Sequence, residues 1–429
     1  MNPGARAQAA IDILADILGH HRPALQALAD WGRTHRFAGS ADRAAIGDIV
    51  LQALRQRASL AWRMEDDSPR ALVLAHLAFN NGMTAGEIAE LARLPHAIST
   101  PTDTEMARLQ APRALEDAPA WVRGDCPEWV MPLLQQAFGE QAIEEAAAQA
   151  QRAPLDIRIN TLRGDVQRAA RQLAHHQPQP TPYAPHGLRF LPHPRSGRLP
   201  RLESEPAFAR GLFEIQDEGS QIAALLCAAQ PGWQVLDYCA GGGGKTLALA
   251  AQMNNRGQIH AFDADAARLA AIVPRLKRAG AHNVQLHHPA RRERLEQLQG
   301  RMHLVLVDAP CTGSGTWRRK PDAKWRLKPQ ALERHVKTQA QLLDEAATYV
   351  RPGGLLAYAT CSILPPENDE QIKAFLARNQ AFRPIDWRQN ADALRSLPPA
   401  TASAPTLQLT PHQHGTDGFF IALMRRVDT

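Results

Sequence analysis

The sequence lacks a long apolar run and has few cysteines and few aromatic side chains. No uninterrupted apolar stretch approaches the roughly 20 residues that a membrane-spanning helix needs. Asp12 and Asp16 interrupt the apolar segment near the N-terminus, so we expect no signal peptide. Only 5 of the 429 residues are cysteine and no CxxC pair occurs, which excludes a disulfide scaffold and a cysteine-rich zinc site. We therefore expect a cytoplasmic protein with reduced thiols and no bound metal.

The charge balance is modestly basic, with a formal net charge of +6. This surplus is compatible with nucleic-acid binding, but many basic proteins bind no nucleic acid. Residues 1–95 show helical periodicity and carry arginines such as Arg33 and Arg55 along their length. Two interpretations of these arginines stay open: solvated helix faces or a surface that faces RNA.

The pattern along the chain predicts three domains. Residues 1–95 form an all-α unit and residues 96–119, rich in proline, read as a linker. Residues 120–208 combine helical stretches with an alternating strand and suggest a small α+β domain. Residues 209–429 alternate strand and helix, which is typical of a doubly wound, mostly parallel α/β sheet. Its predicted strands are 234–237, 258–262, 284–286, 304–307, 355–359 and 419–424, the last as an antiparallel edge strand.

Two of these strands deliver a cysteine to the same edge of the sheet. The run Leu304–Val307 leads into Asp308-Ala309-Pro310-Cys311, and the run Leu355–Ala359 leads into Thr360-Cys361. In an open α/β sheet the loops that leave the carboxyl ends of the strands form the ligand crevice. The sequence therefore predicts two potential thiolates in one cleft.

A glycine-rich loop follows the first strand of this half. Asp237-Tyr238-Cys239-Ala240 continues into Gly241-Gly242-Gly243-Gly244-Lys245-Thr246 and then into an apolar helix. A phosphate-binding P-loop would need glycine where Cys239 stands, and a GxGxxG dinucleotide motif would need glycine where Thr246 stands. The loop therefore favours a nucleoside cofactor without a polyphosphate, and S-adenosylmethionine matches.

Asp263 follows the next strand, in the position of an acid that holds ribose hydroxyls. In a second interpretation Asp263 only caps the helix that begins at Ala264.

With these motifs, the chain resembles the RsmB-like family of RNA (cytosine-5) methyltransferases. Four segments in order carry the resemblance: Asp237–Thr246, Asp308–Gly315, Lys320–Trp325 and Ala359–Asn368. The resemblance implies a Rossmann-like methyltransferase domain, an RRM-like small domain and a NusB-like RNA-binding module at the N-terminus. It implies S-adenosylmethionine as cofactor and RNA as partner, with small-subunit ribosomal RNA as the expected target and a monomer as the expected state.

The resemblance also implies residue roles. Cys361 matches the nucleophile that adds to carbon 6 of cytosine, and Cys311 matches the cysteine that helps to release the product. DNA cytosine methyltransferases use the Pro-Cys cysteine as nucleophile, so the presence of Thr360-Cys361 favours RNA. Asp308 and Lys245 complete the implied catalytic set. The implied cofactor-binding residues are Asp237, Cys239, Ala240, Gly241, Gly242, Gly243, Gly244, Lys245, Asp263 and Asp308.

Three further points qualify the resemblance. The family's usual Ala-Pro before Gly-Gly-Lys is here Gly241-Gly242, which makes the loop more flexible. The stretch His287–Ala290 offers no carboxylate for an adenine amine, and we expect its histidines, like the pair His175-His176, on the surface. The run Trp317–Lys320 with Lys324-Trp325 reads either as a base-stacking, phosphate-contacting loop or as ordinary tryptophan packing.

The predicted function is methyl transfer to carbon 5 of cytosine in RNA. A transfer RNA cytosine-5 methyltransferase and a non-catalytic RNA-binding assembly factor are the alternatives. A small-molecule methyltransferase is disfavoured, because the first 200 or so residues would then have no evident role.

Overall fold

The computed structural model describes residues 1–193, 197–399 and 405–427. The chain falls into two compact units. The first consists of Met1–Gln151 with Trp317–Lys328, and the second of Arg152–Thr316 with Pro329–Thr429. This division differs from the predicted one at three places. Residues 120–151 group with the N-terminal helices, a short excursion from the C-terminal half joins them, and residues 152–208 group with the C-terminal half.

The first unit consists of helices and the loops between them, with no strand among its described residues. Its α-helices are α1 (Pro3–His20), α2 (Ala24–Thr34), α3 (Ser40–Arg55), α4 (Arg57–Met64), α5 (Pro69–Ala75), α6 (Ala85–Leu91), α7 (Asp103–Gln110), α8 (Ala120–Arg123), α9 (Met131–Phe138) and α10 (Ala142–Ala148), with Pro321–Arg326 from the excursion. Side-chain caps fix several starts: Asn2 Oδ1 accepts from the Ala5 amide, and Thr84 and Glu87 form a capping box. Short π or 3-10 turns lie at His76–Asn80, Glu128–Val130 and Gly139–Gln141.

The predicted linker 96–119 is wrong in part, because it contains α7. A capping box between Thr102 and Glu105 starts this helix. Leu109 and Ile98 are buried in the same apolar cluster as α1 and α5, and Arg70 bonds Glu105 at 2.7 Å. The proline-rich composition suggested a linker, but this segment packs against the N-terminal helices.

The second unit contains two sheets. Strands β1 (Leu155–Ile159), β2 (Gln179–Pro180), β3 (Gly187–Phe190) and β4 (Phe213–Ile215) form the small antiparallel sheet, in the order β2-β3-β1-β4. Ile157 and Ile159 face the apolar cluster under this sheet, together with Leu188 and Phe213. The alternate residues of β1, Asp156 and Arg158, are buried and polar, and so is Asn160 directly after the strand.

The large sheet has the predicted α/β architecture, which is therefore confirmed. Its strands are β5 (Gln234–Asp237), β6 (Gln258–Phe262), β7 (Val284–His287), β8 (Met302–Asp308), β9 (Val350–Thr360), β10 (Phe382–Ile385), β11 (Leu407–Leu409) and β12 (Phe419–Arg426). They run in the order β10-β12-β9-β8-β5-β6-β7, and β11 pairs with β12. Strands β5 to β9 pair in parallel, so their carboxyl ends share one edge.

The helices of this unit connect and flank its strands. They are α11 (Val166–Gln172), α12 (Pro206–Ala209), α13 (Glu218–Leu225), α14 (Gly244–Gln252), α15 (Ala266–Ala270), α16 (Ile272–Ala279), α17 (Arg292–Glu296), α18 (Pro329–Ala347), α19 (Asp369–Arg378) and α20 (Pro411–His414). Short 3-10 turns lie at Ala174–His176, Leu202–Ser204, Pro289–Arg291, Ser314–Thr316, Pro365–Glu367 and Trp387–Ala393.

Both faces of the large sheet are buried, which explains why its strands read as continuous apolar runs. Leu304 and Leu306 of β8 lie in one apolar cluster, while Val305 and Val307 lie in the cluster on the opposite face. Side chains alternate across a strand, so a strand covered on both sides needs apolar residues at every position.

The predicted edge position of the last strand is wrong, although its antiparallel direction is confirmed. Strand β12 pairs with β9 on one side and with β10 and β11 on the other. The two covering strands are short, and neither was predicted. Across the described residues, no helix combines the length and apolar character that crossing a membrane would require.

Candidate active site

The carboxyl ends of β8 and β9 bring the two predicted cysteines into contact. The Sγ atoms of Cys311 and Cys361 lie 3.4 Å apart. Both side chains are half-buried, and Asp308 pairs with Ala359 in the parallel register of the two strands. The structure thus places both thiols and Asp308 at one edge of the sheet, as the strand pattern predicts.

Hydrogen bonds between the two cysteine loops hold them in register. The hydroxyls of Ser314 and Ser362 lie 2.9 Å apart, and the Ile363 amide donates to Ser314 Oγ at 2.9 Å. The Gly315 amide donates to the Cys361 carbonyl at 3.0 Å. A Cβ on Gly315 would lie 2.1 Å from the Gly418 carbonyl oxygen, so only glycine fits where these segments meet.

Glu367 fixes the loop that carries Cys311, a role that sequence reasoning missed. Its side chain is fully buried and accepts hydrogen bonds from the Thr312 amide at 2.8 Å, the Thr312 hydroxyl at 2.6 Å and Gln339 Nε2 at 3.0 Å. Gln339 also donates to the Pro310 carbonyl. Glu367 belongs to the segment Ala359–Asn368, one of the four that carry the family resemblance. Its place in that segment could have indicated that it positions the Cys311 loop.

Asn368 serves the second cysteine loop in a similar way. Its Oδ1 accepts from the Thr360 hydroxyl at 2.7 Å, and its Nδ2 donates to the Ser362 carbonyl at 2.9 Å. The residues on both sides of Cys361 are therefore tied to one buried amide.

The pKa of the Cys311 thiol is raised at this contact. The hydrogen bond with the Cys361 sulfur, and then burial, raise it well above its usual value. The S–H of Cys311 can therefore donate to the sulfur of Cys361.

Lys245 and Asp308 form an ion pair beside the thiols. Lys245 Nζ donates to Asp308 Oδ2 at 2.7 Å and lies 4.9 Å from the centroid of the Phe419 ring. The Lys245 side chain is buried, whereas that of Asp308 is 33% exposed. Asp308 Oδ1 has no hydrogen-bond partner among the described residues, so it is available to a ligand.

The glycine loop turns sharply into α14. Gly241 and Gly243 have φ of 53° and 81°, in the region that favours glycine, and a Cβ on Gly243 would lie 2.9 Å from Ile272. A Cβ on Gly241 would meet no atom within 4 Å, so the loop is open on that side. Arg275 bonds the Gly242 carbonyl, which restrains the loop despite its extra glycines.

Asp263 anchors the same loop. One carboxylate oxygen accepts from the Gly241 amide at 2.8 Å and the other from the Asp265 amide at 2.8 Å. The following helix begins at Ala266 and is capped by Asp265, so the interpretation of Asp263 as a helix cap is wrong. Asp263 lies at the end of β6 next to the open loop, where an acid for ribose hydroxyls would be needed.

Asp237 is buried behind the loop. Its Oδ2 accepts from the Thr246 hydroxyl at 2.7 Å, and its Oδ1 has no partner in the described part of the chain. Burial raises the pKa of Asp237 to about 7, and the negative charge of Asp308 adds to the effect.

This edge of the sheet fits S-adenosylmethionine. It offers three carboxylates for a cationic nucleoside ligand, an open glycine turn and an unpartnered buried oxygen. Asp237, Cys239 to Lys245, Asp263 and Asp308 are the residues that would hold it. Burial, then these carboxylates, raise the pKa of Cys239 well above its usual value. Cys239 therefore lines the site as a protonated thiol and does not act as a nucleophile.

The remaining cysteines lie in cores, as predicted. Cys126 and Cys227 are buried, and burial raises the pKa of each to about 12. None of the five cysteines, all within the described residues, forms a disulfide.

The tryptophan-rich basic segment packs inside the first unit. Trp317 and Lys324 are 1% exposed, Lys324 Nζ donates to the Arg55 carbonyl at 2.9 Å, and Trp325 Nε1 donates to the Leu54 carbonyl at 2.6 Å. Of the two interpretations, tryptophan packing is confirmed. Arg55 is itself buried and donates to the Arg318 carbonyl, so this arginine is not on a solvated helix face.

The predicted surface position of His287 is wrong. His287 is buried, and its Nε2 lies 2.9 Å from His260 Nδ1. Burial lowers the pKa of both rings, to about 4 for His260. His175 is exposed and His176 half-buried, and both rings approach Glu205, whose carboxylate lies within 4.8 Å of both Nε2 atoms.

Comparison with known sequence families identifies two segments of the chain. Residues 224–425 match the family described as 16S rRNA methyltransferase RsmB/F. Residues 126–194 match the family described as an RsmF/B-like methyltransferase ferredoxin-like domain.

Curated relatives agree with these matches. The chain is 33% identical over 310 residues to the probable ribosomal RNA small subunit methyltransferase B of Synechocystis sp., a match that covers 70% of this chain and 66% of that protein. It is 33% identical to ribosomal RNA small subunit methyltransferase B of Pseudomonas syringae pv. tomato, across 71% of this chain and 67% of that protein. The matched region thus spans about two thirds of these relatives.

Solved structures share the fold. A methyltransferase homolog protein from Pyrococcus horikoshii is 30% identical, with a TM-score of 0.60, and the match covers 72% of this chain and 98% of that one. The crystal structure of PH0851 matches over 99% of both chains with a TM-score of 0.74 and 23% identity, which supports the fold alone. Together with the two cysteines at adjacent strand ends, these matches show that the chain belongs to the 16S rRNA methyltransferase RsmB/F family.

Proposed function

We propose that this protein is an S-adenosylmethionine-dependent RNA (cytosine-5) methyltransferase that acts on small-subunit ribosomal RNA. The observation that carries the proposal is the contact between Cys361 and Cys311, at 3.4 Å, beside the Lys245–Asp308 pair. Two thiols and a carboxylate with a free oxygen are the groups that methylation at carbon 5 of cytosine requires.

Cys361 is the proposed nucleophile. Carbon 5 of cytosine is too weak a nucleophile to take a methyl group directly, so the ring needs activation. When the Cys361 thiolate adds to carbon 6, the electron pair of the broken double bond moves towards carbon 5 and makes that carbon nucleophilic. The neighbouring Cys311 S–H stabilises the thiolate before addition.

Asp308 holds the base during this addition. Addition to carbon 6 is easier when nitrogen 3 of the ring is protonated, and the free Asp308 oxygen can accept a hydrogen bond from that N–H. Lys245 holds the carboxylate in place through its other oxygen.

Cys311 serves the release step. After methylation the proton on carbon 5 passes to water, the electron pair of that C–H bond re-forms the double bond between carbons 5 and 6, and Cys361 leaves as a thiolate. Cys311 lies next to that sulfur, and its S–H can donate a hydrogen bond to the departing thiolate. Its loop is fixed by the three hydrogen bonds that Glu367 accepts.

S-adenosylmethionine, when bound, supplies an electrophilic methyl group. Asp263 and Asp237 would face its cationic nucleoside end, and the open turn at Gly241 lets the backbone approach it closely. The target base must be unstacked for a thiol to reach its ring face, so an RNA loop or an incompletely assembled RNA is the proposed substrate form. We place the reaction in the cytoplasm, with the enzyme as a monomer that needs no metal.

The test is methyl transfer by the purified wild-type protein. It is incubated with radiolabelled S-adenosylmethionine and either small-subunit ribosomal RNA or transfer RNA, and the nucleosides are identified by mass spectrometry. We expect 5-methylcytosine in the ribosomal RNA. Label in transfer RNA alone would assign the other substrate, and tight RNA binding without any transfer would favour a non-catalytic assembly factor.

A further inference from the structure

A cavity of about 690 Å³ in the second unit is lined by five cationic side chains and no carboxylate. The cations are Arg163, Arg168, Arg210, Lys277 and Arg278, and the other lining residues are alanine, leucine and proline. The formal net charge of the whole chain is +6, and at this place the lining side chains are cationic without an acidic one among them.

The walls of the cavity are fixed by backbone packing. Buried Asn160 donates to the Gly211 carbonyl at 2.9 Å and to the Ala279 carbonyl at 2.8 Å, which joins the wall formed by Ala209–Leu212 to the end of α16. Gly211 has φ of 73°, and a Cβ there would lie 1.9 Å from the Arg278 carbonyl oxygen. The cations therefore project from a preformed frame rather than from a flexible tail.

Few of these charges are neutralised inside the protein. Arg278 bonds Glu214 at 2.5 Å, but Glu214 also accepts from Arg275, so one buried carboxylate serves two arginines. Arg210 donates to the neutral Gln172. Asp165 is the acidic residue nearest in sequence to Arg163 and Arg168. Its side chain accepts a hydrogen bond from the Arg168 amide and so caps α11.

This arrangement matches a chain of phosphates. Guanidinium groups bind phosphate oxygens through paired N–H donors, and several cations in one concave surface attract a repeating anion more strongly than a single one. An acidic peptide would share the charge, but its carboxylates lack the regular spacing of phosphates along a nucleic-acid backbone.

We propose that this basic cavity binds backbone phosphates of the RNA substrate, as a docking site separate from the catalytic edge of the sheet. The proposal rests on the proposed function for the identity of the RNA. It assigns to Arg168, Arg210 and Lys277 an affinity role, without contact to the reacting base.

The experiment replaces these three exposed residues in the full-length protein, as Arg168→Ala/Arg210→Ala/Lys277→Ala. The matched control, Arg256→Ala/Arg301→Ala/Lys373→Ala, removes the same charge from exposed positions elsewhere in the second unit. Binding of a labelled small-subunit ribosomal RNA transcript is measured by fluorescence anisotropy between about 50 and 400 mM KCl, since phosphate contacts appear as salt dependence.

We expect the cavity variant to bind RNA about tenfold or more weakly at low salt, with a slope of log affinity against log salt shallower by about two. The control variant should change affinity by less than about twofold, because its charges lie outside the cavity. Equal losses in both variants, or no loss in the cavity variant, would overturn the proposal. Unchanged RNA binding with lost binding of poly-glutamate would also overturn it, in favour of an acidic protein partner.

Methyl transfer by the wild type separates this proposal from the proposed function. If the wild type forms 5-methylcytosine and the cavity variant binds RNA normally, only the docking site is wrong. If the wild type transfers no methyl group but RNA binding depends on the cavity, the proposed function fails and the docking site stands. Thermal unfolding of each variant confirms that it is folded.

Discussion

The Cys311 and Cys361 sulfurs lie 3.4 Å apart although 50 residues separate them, because each follows one of two adjacent parallel strands. Each loop is held by its own buried side chain, Glu367 for Cys311 and Asn368 for Cys361. The predictions below test this pair and the groups that position it.

Replacing Cys311 should trap the covalent intermediate. In Cys311→Ala, the Cys361 thiolate can still add to cytosine, but the neighbouring thiol that assists release is gone. We expect a protein–RNA band that survives denaturing electrophoresis in the presence of S-adenosylmethionine. The double variant Cys311→Ala/Cys361→Ala should show no band, and a band that persists without Cys361 would show that another residue is the nucleophile.

Mild oxidation should join the two cysteines. A disulfide needs about 2.05 Å between sulfurs, and 3.4 Å is close enough for small loop movements to form the bond. Hydrogen peroxide would take two electrons and both thiol protons from the pair, which yields the disulfide and two waters. We expect a peptide that links Cys311 to Cys361 by non-reducing mass spectrometry, loss of methyl transfer, and recovery of both with dithiothreitol. Preferential oxidation of buried Cys126 or Cys227 would contradict the assigned geometry.

Glu367→Gln should impair catalysis more than cofactor binding. The amide presents one acceptor oxygen where the carboxylate presents two, so at least one donor on Thr312 or Gln339 loses its partner, at a cost of about 1–3 kcal/mol. We expect kcat to fall roughly tenfold or more, at an unchanged KM for S-adenosylmethionine, because about 1.4 kcal/mol corresponds to a factor of ten. The exposed Glu333→Gln variant is the control, and equal kinetics in both variants would remove the positioning role from Glu367.

Asp237 should make stability depend on pH in a defined direction. Burial raises its pKa to about 7 in the folded protein, above the unfolded value near 4, so folding favours the protonated form. The stabilising contribution of this group is present below about pH 4 and is lost as the pH rises towards 7.

The Asp237→Asn variant keeps a neutral side chain at every pH. We therefore expect the unfolding temperature of Asp237→Asn, relative to that of the wild type, to be higher at pH 8 than at pH 5. The change corresponds to a few kcal/mol of unfolding free energy at most. The exposed Asp392→Asn variant should show no such difference. A constant difference between Asp237→Asn and the wild type at both pH values would contradict the raised pKa.

Local patterns were sufficient to predict the parallel strands of the large sheet and the edge at which the two cysteines meet. The runs Leu304–Val307 and Leu355–Ala359 are apolar at every position, which indicates strands covered on both faces, and the residues that follow them had to meet at one edge. Gly241, Gly243 and Asp263 followed from the same reasoning, since a strand-to-helix turn and the end of the next strand are fixed by the fold.

Contacts over long sequence separations could not be predicted in this way. Glu367 bonds Thr312 across 55 residues, and Trp325 bonds Leu54 across 271. A basic, tryptophan-containing segment has the composition of an RNA-contacting loop, and only the three-dimensional packing reveals that Trp317 and Lys324 are core residues. The inner position of β12 was missed for a related reason. Strands β10 and β11 are too short to show a recognisable pattern of apolar residues in the sequence.

The excursion Trp317–Lys328 has a consequence for synthesis on the ribosome. The first unit contains residues 1–151 together with 317–328. All of its residues are therefore present only after residues 152–316 have been translated. Until then, Arg55 and Leu54 lack the lysine and tryptophan that bond their carbonyl groups. The N-terminal helices therefore remain incomplete while the following residues are synthesised, and no single proteolytic cut can release the first unit intact.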